Sequence, residues 1–400
     1  MRRLIIVIVY FISVHTVTAQ GRQTENALQA ARYHMSERSY DSALHYLDIA
    51  IRMEPLLYDT YKLRADSRAM VNDLDGAALD YRVYLDHFPD DSEALFSFSE
   101  LNYRLGNFTE ARDGFLKLRK MPPGSTSRIY YTIRAGDNGV SNMFTAQSRD
   151  KSRIDNYLGL VYAGMNNYSR SLLHFDSALA VRPEQPDYLA NKGLTYLKMN
   201  HRATAKTLFR RALEIEPGHV VARQNLANMI RADGNQDEAI TLYSEDIAAN
   251  PNSSAGYENR GYSYLLKGEN RKALKDFDAA LKRNANEPTT WLNRGIARMR
   301  LNMLEAAFDD FSMAIRLEPN LSLAYMNRGN VLYKMREYED ALNDYNVAII
   351  YEKTYYLAYY HRGITQYKLG KQDEACSSLQ FAATNGIDIA GKTLRQICTN

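Results

Sequence analysis

The sequence predicts an all-α protein, a solenoid of helix-turn-helix repeats stacked in chain order. Three observations carry this reading. The stretch YENRGYSYLLKGENRKALKDFDAALKRN at 257–284 is followed 34 residues on by WLNRGIARMRLNMLEAAFDDFSMAIRLE, and again after 34 by YMNRGNVLYKMREYEDALNDYNVAIIYE. Self-similarity at such a period marks helical hairpins, each too small to bury its apolar face alone. Pro183, Pro217 and Pro251 keep the same step, with Pro319 two periods further, and Pro55, Pro89 and Pro123 form an earlier series. Proline cannot continue a helix, so each marks the passage between repeats. The third observation is that small and aromatic residues return at fixed places within the period.

In chain order, MRRLIIVIVYFISVHTVTAQ has a basic start, an apolar run from Leu4 to Val14, and small residues at Val17 and Ala19. This is the pattern of a cleaved export signal over 1–19. The run falls short of the about 20 residues a membrane span needs, although an uncleaved anchor remains the alternative. No cysteine follows it, which argues against a lipid anchor. The expected mature chain is periplasmic or secreted, with no integral membrane span. Charges are nearly balanced at +3, without the basic face of a nucleic-acid binder. Tyrosine is abundant, with 30 copies against one tryptophan, as suits packed helices with one ring edge still wet.

The proline register gives an N-terminal array of three repeats over 20–125 and a C-terminal array of seven over 152–389. The eighth position of a repeat is small (Gly159, Gly193, Ala227, Gly261, Gly295, Gly329, Gly363), and so is the twentieth (Ala205, Ala239, Ala273, Ala307, Ala341, Ala375). Small residues there let the two helices approach closely. The twenty-fourth is usually aromatic (Tyr81, Phe115, Phe175, Phe209, Tyr243, Phe277, Phe311, Tyr345) and is expected to fill the gap between neighbouring repeats. On these residues the chain resembles the tetratricopeptide repeat (TPR) family over about 340 of its 400 residues. The resemblance implies a right-handed superhelical solenoid whose inner, concave surface binds protein or peptide. The first repeat departs most, keeping Ala31, Ala43 and Ala50 without the glycine or aromatic.

Residues 126–151 break the period. RIYYTIRA alternates, GDNG is a turn signal and VSNMFTAQ can return, which predicts a small β-hairpin insertion. A degenerate repeat or a loose linker is the alternative.

The triplet Asn-Arg-Gly raises two further expectations. Arg64, Arg260, Arg294 and Arg328 at position seven each come with an aspartate 16 residues later: Asp80, Asp276, Asp310 and Asp344. Lys192 with Leu208 and Arg362 with Ser378 break the rule. The correlation predicts structural ion pairs within a repeat or across to the next, because a half-buried arginine needs a partner. Asn191, Asn225, Asn259, Asn293 and Asn327 recur at position six, with His361 completing the row. Asparagine is a mediocre helix former, so helix propensity does not explain the row. The resemblance places position six on the concave surface, where a carboxamide offers both donor and acceptor to a peptide backbone. Inheritance of a repeated consensus is the competing reading. Lys334 and Lys368, with Tyr333, Tyr360 and Tyr367, add a basic, aromatic stripe suited to an acidic or C-terminal segment, or simply a solvated face. The full residue set of the carboxylate-clamp TPR proteins is not evident.

Cys376 and Cys398 are the only cysteines. A disulfide between them would pin a capping helix over 390–400 to the last repeat, two free thiols being the alternative. No phosphate loop, paired metal histidines or nucleophile elbow occurs, so neither an enzyme nor a cofactor or metal is expected. The sequence thus points to an exported scaffold that grips an extended protein segment in its groove. A structural assembly or spacer subunit of an envelope complex, using outer faces or the hairpin, is the alternative. Oligomeric state is not readable.

Overall fold

A computed structural model describes residues 21–122 and 150–398, together with the backbone of 130–132 and 142–144. The export-signal segment and most of the insertion, its GDNG turn included, lie outside the described residues. The chain divides into two compact units, Met1–Pro217 and Gly218–Asn400.

The N-terminal unit holds helix pairs α1 (21–36) and α2 (Tyr40–Met53), α3 (Asp59–Met70) and α4 (Leu74–His87), and α5 (Ser92–Leu105) and α6 (Phe108–Lys120). After two short antiparallel strands, β1 (Tyr130–Thr132) and β2 (Asn142–Phe144), come α7 (Ser152–Gly164) and α8 (Tyr168–Val181), then α9 (Pro186–Lys198) and α10 (Arg202–Ile215). The insertion does not interrupt the stack. Across it Phe96, Phe115 and Leu118 share one core with Ile154 and Leu158, and the rings of Phe115 and Tyr157 stack at 5.0 Å.

The C-terminal unit runs α11 (Val220–Ala232), α12 (Gln236–Ala249), α13 (Ser254–Leu266), α14 (Asn270–Arg283), α15 (Pro288–Arg300), α16 (Leu304–Leu317), α17 (Ser322–Met335), α18 (Tyr338–Tyr351), α19 (Tyr356–Lys368) and α20 (Gln372–Thr384). Helix α21 (Asp388–Ile397) closes it, starting two residues before the expected cap. Its Ala390 is buried against Leu379 and Ala382.

Local chemistry sets the helix boundaries. Asp73 and Asp91 cap α4 and α5 by accepting from Gly76 N and from Glu93 and Ala94 N, satisfying donors that a helix start leaves open. Pro186 and Pro288 occupy first-turn positions of α9 and α15, where their missing N–H costs nothing. Between the helices of every pair the fifteenth residue of the repeat is left-handed: Arg38, Asn72, Gly106, Asn166, Asn200, Gly234, Gly268, Asn302, Arg336 and Gly370. After α5, for example, Gly106 N donates to Tyr103 O and Asn107 N to Asn102 O, the double bond that ends a helix through a left-handed residue.

The core adds to one expectation. The aromatic at position 24 lies over the small eighth residue of its own pair and also reaches the next pair, as Phe311 does with Ala324 and Val331. A Cβ added to Gly295 would stand 2.7 Å from Phe311 Cε1, and one added to Gly159 would stand 2.6 Å from Phe175 Cε1. The glycine therefore makes room for a ring, and the small residue at position 20, such as Ala307, is fully buried beside it.

Candidate functional site

The position-seven arginines are held on two sides. Arg260 donates through Nε and Nη2 to the two carboxylate oxygens of Asp276, both at 2.8 Å, and through Nη1 to Ser244 Oγ at 3.1 Å. Arg328 repeats this with Asp344 at 2.8 Å twice and Ser312 at 3.1 Å. Arg64 forks onto Asp80 and reaches back to Asp48, and Arg294 forks onto Asp310 and reaches back to Asp278. Each arginine thus joins its own pair to the second helix of the preceding one. The two exceptions keep the backward arm. Lys192 meets Asp176, and Arg362 donates to Asn346 as well as to Ser378. The hydrogen bond to Asp276 outweighs burial and holds Arg260 above its usual pKa, whereas burial pulls Arg362, which makes no ion pair among the described residues, below its own. These side chains are occupied in building the stack.

The asparagine row is divided between the two units. In the C-terminal unit Asn225 and Asn327 each donate Nδ2 to a carbonyl of their own helix, Val221 O and Leu323 O, at 2.8 Å. Asn259 Oδ1 accepts from Arg231 Nη1 at 3.0 Å. Asn293 is half-buried and makes no side-chain hydrogen bond among the described residues. Asn225 and Asn327 therefore keep Oδ1 open, Asn259 keeps Nδ2, and Asn293 keeps both. Asn327 is only 8% exposed, deeper than a groove-lining residue is expected to lie.

Further along this unit, His361 stacks on Tyr345, centroids 5.7 Å apart, and burial pushes its pKa down to about 4. Lys334 and Lys368 are exposed at the ends of α17 and α19, outside any ion pair among the described residues. The ring of Tyr333 meets that of Tyr338 edge-on at 5.3 Å. Cys376 and Cys398 are joined by a disulfide, Cα atoms 5.8 Å apart, which ties α21 to α20.

Asn191 belongs to a different place. In the N-terminal unit it lines a groove of about 400 Å³ formed by α5, α7 and α9 with the start of α6. Tyr103, Phe108, Leu160 and Leu194 supply its apolar surface, and among the described residues Arg104 and Lys198 are its only charged lining. Asn191 Nδ2 donates to Asn156 Oδ1 at 3.1 Å, leaving Asn191 Oδ1 open. The asparagine row alone does not reveal this groove. The signal is the position-thirteen series Arg104, Gly164, Lys198: a missing side chain between two cations. Phe108 folds into that space, so a Cβ on Gly164 would stand 2.5 Å from its ring.

Among the described residues no cluster of three or more histidines, cysteines and acids is placed to hold a metal, and no helix is long and apolar enough to cross a membrane.

Comparisons with known proteins agree with the repeat geometry. Models of the tetratricopeptide repeat match residues 28–91, 62–126 and 259–322, residues 186–219, and residues 357–380. None of the curated proteins matches the chain. Among solved structures, a tetratricopeptide repeat protein from Parabacteroides merdae is 16% identical, with 62% of this chain and 99% of that one covered and a TM-score of 0.49. PilF of Pseudomonas aeruginosa is 21% identical, covering 54% and 98%, with a TM-score of 0.47. YrrB, described as a TPR protein with an unusual peptide-binding site, is 18% identical, covering 47% and 97%, with a TM-score of 0.41. With matched repeats spanning more than half of its length, the chain belongs to the tetratricopeptide repeat family.

Proposed function

We propose that this chain is an exported scaffold that holds an extended segment of another protein against the first helices of its C-terminal pairs. Tetratricopeptide repeats serve in general as protein-interaction scaffolds, and the finer reading rests on the asparagines. Asn225, Asn259, Asn293 and Asn327 come at one place in four successive repeats, and each keeps a donor or an acceptor that the fold does not use. A peptide backbone presents alternating N–H and C=O groups, so open carboxamides in series can grip it without regard to its side chains. Lys334, Lys368 and His361 would receive an acidic or C-terminal end of that segment. The basic start and apolar run before Gln20 support export.

The test compares the chain with a variant carrying alanine at these four asparagines, on a peptide array whose hits are resynthesised with N-methylated backbones. Both proteins should melt alike. Binding should be lost on alanine substitution and equally on N-methylation. Peptides that bind the variant and the methylated backbone unchanged would return the row to repeat consensus, and would favour an assembly or spacer subunit that works through its outer faces.

A further inference from the structure

Helices α12, α14, α16, α18 and α20 lie side by side in the C-terminal unit, because each position-seven arginine spans two of them. Arg260 joins α14 to α12 through Asp276 and Ser244, and Arg294 joins α16 to α14 through Asp310 and Asp278. We propose that the outward faces of α14 and α16 form a self-complementary surface on which a second copy of this chain docks. Three observations carry it.

The first is a broken local rule. The first turns of α12, α16, α18 and α20 hold acids, among them Asp237, Glu305, Glu339 and Asp373. Acids there suit the positive end of the helix dipole. The first turn of α14 holds no acid, and Arg271 and Lys272 stand in it. That placement costs helix stability, and such departures collect where a surface has another task.

The second is unspent charge. Arg271, Lys275 and Lys282 are exposed and share one face of α14. Asp278 stands between the last two, but its carboxylate is taken by Arg294 at 2.7 Å. Glu305 and Asp309 are exposed on one face of α16. Among the described residues, none of these lysines, Arg271, Glu305 or Asp309 enters a hydrogen bond or an ion pair.

The third is register. Arg271 and Glu305 both hold position eighteen of their repeats, and Lys275 and Asp309 both hold position twenty-two. A two-fold axis running between α14 and α16, along their length, lays α14 of one copy over α16 of the other. It sets Arg271 opposite Glu305 of the second copy and Lys275 opposite Asp309, and the symmetry makes each pair twice. Met303, 42% exposed at the start of α16, adds apolar surface at that end. The far end is unfavourable, because Lys282 would face Arg316, and both are exposed. The helices therefore cross at their first turns and diverge toward those two cations. A foreign surface of one charge would meet one stripe and be repelled by the other, whereas a copy of this chain satisfies both. Exposed ion pairs are individually weak, so the dimer is reversible and sensitive to salt.

The experiment is sedimentation velocity of the full chain over a concentration series, at about 0.05 M and about 0.5 M salt. A monomer–dimer equilibrium should appear at low salt and weaken at least tenfold at high salt. Arg271→Glu with Lys275→Glu should weaken the dimer at least tenfold, and so should Glu305→Lys with Asp309→Lys. Mixing these two variants should restore a dimer of parental strength, because every cross pair is then complementary again. Thermal melts check that each variant folds. Should a reversal disturb folding, Arg271→Gln with Lys275→Gln gives the same loss without it. Monomers throughout would overturn the proposal and leave the stripes to solvent or to a foreign partner. A dimer untouched by the charge changes, or folded variants that fail to recover in the mixture, would overturn it as well.

Discussion

Arg294 and Asp310 meet as a two-point fork, Nε to Oδ2 at 3.0 Å and Nη2 to Oδ1 at 2.7 Å. Asp310 is 1% exposed and also accepts from Arg298 at 2.7 Å, so its removal leaves two guanidinium groups short of their acceptor. Asp310→Ala should cost about 3–5 kcal/mol, the usual penalty for breaking one side of a buried pair. The backward partner Asp278 is half exposed, and Asp278→Ala should cost less than about 1 kcal/mol. Urea denaturation of both variants checks the contrast; equal losses would contradict it.

Packing makes a separate prediction at Gly295. A methyl group there would stand 2.7 Å from Phe311 Cε1, and the ring has no free space to enter, being fully buried. Gly295→Ala should destabilise by about 1–3 kcal/mol through overpacking, despite the gain in helix propensity. Adding Phe311→Leu should recover part of that loss, and calorimetry of the single and double variants measures the coupling.

Arg336 ends α17 with φ 68°, a conformation that costs a residue with a Cβ about 1–2 kcal/mol. Arg336→Gly should therefore raise stability by about 1 kcal/mol even though glycine loosens the unfolded chain. At the matching place in the last repeat, Gly370 has φ 75°, and Gly370→Ala should move the urea midpoint the other way.

His361 gives a pH dependence with a definite sign. Its pKa is about 4 when folded, against an ordinary value of 6.5. Between these values the unfolded chain holds the proton and the folded chain does not, so stability rises with pH. The contribution is complete above about pH 6.5 and fades as pH falls toward 4, with an upper size on the order of 3 kcal/mol. Urea midpoints at pH 7.5, 5.5 and 4.5 should fall more steeply in the parent than in His361→Asn, and identical slopes would remove the histidine from the account.

The period and the pairing of helices are readable because prolines mark the joints and small residues mark the contacts. The arginines and the aspartates 16 residues on are readable because both types recur. Their backward acceptors are not: Asp48, Asp176, Ser244, Asp278, Ser312 and Asn346 share only the ability to accept a hydrogen bond, which looks like variation. The left-handed residue at position fifteen is hidden for the same reason, since asparagine, glycine and arginine all occur there. The N-terminal groove escaped notice because Arg104 and Gly164 lie on opposite sides of the insertion, and only the packing of α6 on α7 brings them into one series.

The backward arm of each arginine gives the C-terminal unit a polarity. Peeling away its last pair leaves Arg328 with both Asp344 and Ser312, whereas losing its first pair strips Arg260 of Ser244. Loss of that last pair therefore orphans no position-seven guanidinium in what remains. That is the end where α21 and the Cys376–Cys398 bridge sit, so a covalent staple closes the side on which the position-seven arm reaches an amide, Asn346, and not a carboxylate.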